Sequence, residues 1–483
     1  MKTITNIIYR ALAAIVLACF ALSPTAQALN PPPDGGYAGA NTAEGTNALL
    51  SLTTGTWNTA LGFETLNHDT VGGNNTATGV RALFSDTSGN YNSATGVYAL
   101  YSNINGWYNN AVGAFALATN VIGNRNTANG YGALYRNTAE GNTATGFAAL
   151  YFNTTGIGNV ANGYQALFSN TIGNQNTAFG FQALYSNTTG NFNTAYGVHA
   201  MYSNTTGSLN NALGRNALMS NTTGTFNTAT GGAALFLNTT GNGNTATGRE
   251  TMHFNTTGNF NTATGFAALY SNTTGDDNTA VGHGALDLNT TAIHNTGCGY
   301  QALFTNNTND NTAVGWNALA ASTGTNSGGE GGNTAVGSTA LANNTAGVGN
   351  AAIGWNALVN NTLGDNNTAV GASALGGSTG SGNTALGTNA GVNLTTGFNN
   401  IDIGDSVTGP PGEDNTIRVG ASQTATYIAG ISGQTASDGV AVYINSDGKL
   451  GTLTSSARFK TEIKPMEKAE RSDTAAQAGH LPV

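Results

Sequence analysis

A unit of about 17 residues recurs from Asn41 to about Gly404, and its shortness constrains the fold more than any other property of the chain. The consensus is N-T-A-x-G-x-x-A-L-x-x-N-T-T-G-x-x, seen well from Asn176 to Phe192. Units follow one another from Asn41 to Asn126, then from Asn142 after a shorter unit, and again from Asn333 to Asn383 after a Gly/Ser insertion between Ala321 and Gly332. A unit this small cannot enclose a core alone. Stacked copies can, so the chain is expected to be a solenoid.

The columns of the repeat say how each coil is built. Position 5 is Gly throughout (Gly45, Gly62, Gly79, on to Gly371), and position 9 is Leu or Met (Leu49, Leu66, Met201, Met252, Leu375). A side chain that returns at one phase points the same way in every coil, so position 9 is the interior column. Gly at position 5 serves a left-handed angle or a close approach between coils. N-T-A-x-G suits a short strand with Ala inward and Thr outward. Phe181, Ala183, Leu184 and Tyr185 fit one face of a helical turn, although a second strand or an irregular turn would also point them inward. N-T-T-G reads as a polar turn, with Asn and Gly supplying left-handed residues. Asn recurs in register at positions 1 and 12, where stacked amides can form hydrogen-bonded ladders along the axis. The fold class is therefore mainly β: an elongated parallel β-solenoid of about 17-residue coils, with a short helical turn in each coil as an option. About twenty-two coils at parallel-strand spacing would extend roughly 100 Å, and the insertion should bulge from one coil without breaking the stack.

Composition removes several function classes. Charged residues are 8% of the chain, and no Lys lies between Lys2 and Lys449. A nucleic-acid partner needs clustered Lys and Arg, so none is expected. The histidines His68, His199, His253, His283 and His294 fall in no common column, which argues against a metal site. Asp276 and Asp277 are the only adjacent acids in the array and supply too few ligands for calcium. No carboxylate pair suggests glycoside hydrolysis. No cofactor is called for. The Thr column at position 2 (Thr59, Thr76, Thr127, Thr177, Thr228, Thr262) could present hydroxyls to ice or a glycan, although Ser93, Asn110, Val160 and Asn211 interrupt it. N-T-T also matches the N-glycosylation acceptor, but its return in many units points to architecture.

The ends differ from the array. Lys2 and Arg10, the apolar run Ala11 to Leu22 and Ala26-Gln27-Ala28 read as a secretory signal over residues 1–28, cleaved between Ala28 and Leu29. The localisation expected is secreted or cell-surface, and Val16-Leu17-Ala18-Cys19 offers a lipid anchor at Cys19 as the second choice. Cys298 is then the one remaining cysteine and is expected to be a small buried filler. Residues 29–40 form a Pro/Gly-rich linker, 41–404 the repeats and 405–454 a β-rich connector. In the connector, Asn415–Gly420, Thr426–Gly430 and Val440–Ile444 alternate like strands, and Asn445 to Gly448 forms a turn.

Ser455-Ser456-Ala457-Arg458-Phe459-Lys460, followed by Ile463, resembles the opening of the endosialidase-type intramolecular chaperone domain. In that family the domain helps three chains fold together and then cleaves itself off with a Ser-Lys dyad. The resemblance implies Ser455 and Lys460 as the dyad and cleavage between Thr454 and Ser455, with Lys460 taking the Ser455 proton. It covers about a dozen residues, and the chain ends at Val483. Residues 455–483 are thus expected to be a shortened, inactive start of that domain. The N-T-A-x-G units resemble the heads of YadA-like trimeric autotransporter adhesins. This resemblance implies a left-handed β-roll, a homotrimer and a host-surface or glycan ligand. The functional expectation is a secreted structural repeat protein, adhesin- or fibre-like. The alternatives are a glycan- or ice-binding Thr face and a self-processing fibre precursor.

Overall fold

The computed structural model describes residues 37–323, 331–428, 441–446 and 450–452. It is a parallel β-solenoid. Strands β1 (Thr42–Glu44) to β23 (Ile417–Val419) are three residues each and form one 23-stranded sheet. Each pairs in parallel with the next in the chain, position against position: Thr177 faces Thr194, Ala178 faces Ala195 and Phe179 faces Tyr196. The residues fall into two units, Met1–Ala421 and Ser422–Val483. In the second, β24 (Val442–Ile444) pairs antiparallel with β25 (Leu450–Thr452). Thr426 to Ile428 are not strand, contrary to the alternation of their sequence. Tyr427 is almost wholly exposed, so that alternation has no core to face.

The expected columns are present. Ala at position 3 and Leu or Met at position 9 are fully buried in coil after coil, joined by Ala at position 8. Gly at position 5 serves both of its expected purposes: Gly180 has a φ of +137°, and a methyl there would run into the Gly197 carbonyl of the next coil. The sheet continues one strand beyond Gly404, with Ile403 opposite Val419. The insertion interrupts nothing, because Thr312–Val314 and Thr334–Val336 pair in register across it.

Two local expectations are corrected. Among the described residues there is no helix, so the apolar piece is not a helical turn. Gln182 and Leu184, at positions 7 and 9, have φ of +52°, and their N–H groups reach the two neighbouring coils, while that of Ala183 between them stays in its own coil on the Gly180 carbonyl. Gln182 N–H donates back to the Tyr164 carbonyl at 2.9 Å, and Leu184 N–H donates forward to Ala200 at 3.0 Å. A helix would have kept these bonds inside the coil. The N-T-T-G segment is not left-handed at Asn187 or Gly190; position 17 is instead, as at Phe192 with a φ of +58°. The Asn at position 12 turns its side chain into the coil.

Candidate functional surface

The regular polar residues of the repeat are consumed by the interior. At position 1, the Asn176 N–H donates to the Asn159 Oδ1 of the preceding coil at 2.9 Å, and Asn176 Nδ2 donates to the Gly190 carbonyl at 2.8 Å. At position 12, Asn187 Nδ2 donates to Asn170 Oδ1 at 2.8 Å and to the same Gly190 carbonyl at 3.0 Å. Both columns are buried along the array. This occludes the N-T-T acceptors, because the nitrogen a sugar would join is enclosed and already donating. The outer Thr of the turn is similarly employed: the Thr171 hydroxyl donates to the Thr188 carbonyl at 3.0 Å.

The outer surface is built from positions 2, 4, 6, 7, 10, 14 and 17, with position 14 exposed in most coils, as at Val71, Ile122 and Ile172. Position 2 points outward as expected, with Ala351 as a further interruption of the Thr column. Position 4 changes character along the chain. Thr228–Thr230, Thr245–Thr247 and Thr262–Thr264 carry Thr at both outward positions on three paired strands. On either side of them position 4 is often apolar, with Val112, Tyr196 and Leu213 exposed before them and Val281, Val314, Val336, Ile353 and Leu386 exposed after. Cys298 lies in this column and is exposed, so it is not the buried filler expected; position 4 faces solvent in every coil.

Aromatic stacks were missed by sequence reasoning, although their spacing was visible in it. At position 6, Tyr131, Phe147, Tyr164 and Phe181 stack with ring centroids 5.3, 5.3 and 5.1 Å apart. At position 10, Tyr135, Tyr151, Phe168, Tyr185 and Tyr202 form a second stack. The rings cover one another's faces and offer edges to solvent, which leaves no open face within a stack for a sugar ring.

Charge is sparse, and among the described residues only a few pair. Arg81 Nε lies 2.7 Å from Glu64 Oε2, and Arg125 sits over Trp107 at 4.7 Å. His294 Nδ1 lies 3.1 Å from Asp310 and its Nε2 3.9 Å from Asp277. Asp276 is a rung of an outer ladder, accepting the Asn259 N–H at 2.6 Å. Among the described residues no group of three or more His, Cys, Asp or Glu could hold a metal ion, and no helix is long and apolar enough to cross a membrane. Burial raises the carboxyl of Asp287 in the position-10 column. At the C-terminal end Asp402 stands where other coils carry Ala. It is buried and its pKa is raised by desolvation, with Arg418 of the next strand partly offsetting. Arg418 itself pairs with Glu413.

Ala28, Leu29, Cys19, Thr454, Ser455 and Lys460 lie outside the described residues. No protein-family model, curated protein or solved structure matches the chain.

Proposed function

We propose that this is a secreted or surface-exposed structural protein, fibre- or adhesin-like, that works through many weak contacts along one side of its coils. The observation supporting this most directly is where the polarity goes. The Asn columns are spent inside as ladders, and the outside carries a periodic, nearly uncharged face of Thr and apolar residues with no converging acids or bases. A scaffold of this kind contacts other surfaces coil by coil, and linked contacts multiply in strength although each is weak. The test compares the full array with a version lacking half of its coils in a bead-adhesion assay on cell-surface extracts. A multi-contact face loses far more than half of its retention; retention unchanged per molecule would show a single discrete site and reject the reading.

A second reading, a glycan- or ice-binding face, is favoured by one feature: the double Thr columns of Thr228–Thr230, Thr245–Thr247 and Thr262–Thr264. Replacing Thr228, Thr245 and Thr262 together by Val keeps the strand shape and removes three hydroxyls. Binding to a glycan array and thermal hysteresis should both fall if this face binds; unchanged values with an unchanged fold would remove it.

A further inference from the structure

The buried Asn column at position 12 is not uniform. It starts on Leu52, which packs partly buried against the core, and the next two rungs are Asp69 and Asp86. From Asn103 onward the column is Asn, except for Ser322, Ser378 and Leu394 toward the other end. Both carboxyls are fully enclosed. In the regular ladder Nδ2 of each Asn donates to Oδ1 of the preceding coil, as Asn120 does to Asn103 at 3.1 Å. In the acidic rungs Oδ1 keeps its ordinary role. Asp86 Oδ1 accepts from Asn103 Nδ2 at 2.8 Å and from the Gly89 N–H at 3.1 Å, and Asp69 Oδ1 accepts from the Gly72 N–H at 2.8 Å. The other oxygen stands where the ladder requires a donor. Asp69 Oδ2 has no partner, and Asp86 Oδ2 has only a 3.5 Å contact from Asn75 Nδ2.

We propose that Asp69 and Asp86 share one proton between stacked rungs and act as a pH-sensitive latch on the N-terminal coils. The proton sits on Asp86 Oδ2, the oxygen in the Nδ2 position, and donates toward Asp69 Oδ1 as an amide would. Neither carboxyl has a charged neighbour apart from the other carboxyl. The remaining ionisable groups on these coils face elsewhere: Glu44 is exposed, Glu64 and Arg81 pair with each other, and exposed His68 packs against Phe84. The aromatic hydroxyls Tyr91, Tyr98, Tyr101 and Tyr108 occupy the outer columns at positions 17, 7 and 10. Desolvation lifts Asp69 to about 6, and desolvation together with the Asp69 charge lifts Asp86 to about 8. The two values belong to the pair, which titrates in coupled steps.

The sign follows from proton counting. The folded pair holds protons that the opened chain, with ordinary carboxyls, releases near pH 4. Stability is therefore greatest in acid, falls as pH rises to about 8, and is level above that. Between pH 6 and 8 the folded pair holds one extra proton, so the opening equilibrium of these coils rises about tenfold per pH unit.

Hydrogen–deuterium exchange on the full chain, corrected for intrinsic amide exchange, measures this at Asn58 to Asn103. The wild type should show the tenfold-per-unit rise. Asp86→Asn should flatten it, because the new Nδ2 donates to Asp69 Oδ1 and completes the ladder. Asp69→Asn should keep a rise, because Asp86 Oδ2 then faces the Asn Oδ1 and still needs its proton. A wild type without the rise, an Asp86→Asn chain that keeps it, or an Asp69→Asn chain that loses it would each overturn the proposal.

Discussion

Leu184 carries the main compromise of the coil. Its φ of +52° is a left-handed angle that costs an ordinary side chain about 1–2 kcal/mol. Full burial of Leu returns roughly 1.5–3 kcal/mol, so burial wins by a narrow margin. The margin explains a restriction in the sequence: position 9 holds Leu or Met from Leu49 to Leu375 and Gly at Gly391, never Val or Ile. A branch at Cβ crowds the backbone most at positive φ. Leu184→Met should therefore change stability by less than about 1.5 kcal/mol. Leu184→Val, although also apolar, should cost clearly more than the loss of one methylene, roughly 2 kcal/mol or above. Denaturant midpoints of the two variants check this, and equal midpoints would refute the backbone argument. The interior identity of position 9 was legible from its recurrence. Its left-handed angle was not, because Leu carries no turn signal, and a three-residue apolar cluster fits a helical turn equally well.

The coil is held by rungs as much as by its three-residue strand. Asn187 joins two acceptors, Asn170 Oδ1 and the Gly190 carbonyl, and its own Oδ1 receives Asn204 Nδ2 at 2.8 Å. Asn187→Ala leaves the buried Asn170 Oδ1 without its donor, while the Gly190 carbonyl keeps Asn176 Nδ2 and Asn204 Nδ2 keeps the Gly207 carbonyl, a loss of about 1–3 kcal/mol. Asn187→Asp should be mild in acid, where the protonated carboxyl can donate, and increasingly destabilising as pH rises. Thermal unfolding at pH 5 and pH 8 distinguishes the two effects; a pH-independent Asn187→Asp midpoint would contradict the direction assigned to the ladder. Asn at two fixed phases made the ladders foreseeable. The aromatic stacks obey the same spacing rule and were equally foreseeable, but residue type within positions 6 and 10 varies enough to hide them.

Across the whole array, contacts run between neighbouring coils, so stability is close to a sum of coil and interface terms. Deleting Asn176 through Phe192 brings Gln175 against Asn193 at the same phase. That chain should stay folded, with a modest drop in denaturant midpoint. Deleting only Asn176 through Ala183 puts position 9 after position 17 and should unfold or split the array. Circular dichroism and limited proteolysis decide it, and equal tolerance of both deletions would contradict a coil-by-coil fold. The exterior was the least legible part of the molecule. The exposure of Cys298 followed from the inward Ala at position 3 by strand alternation, but a small side chain in a repeat column reads as filler; the residue types at position 4 vary too much along the chain to signal a face.

The near-identity of successive rungs has a kinetic cost. A chain that pairs each strand with its neighbour but one, looping out a whole unit, keeps every Ala, Leu and Asn in a matching column. Such a mispairing is almost degenerate with the native arrangement. The irregular coils break this symmetry: Leu52 and the Asp69–Asp86 rungs near one end, the shortened unit before Asn142, the long unit before Asn333, and Leu394 in place of Asn near the other end. They serve as address marks, telling a growing stack which coil comes next. A version made of identical consensus units should then refold to a mixture of looped species even if its final stability is higher.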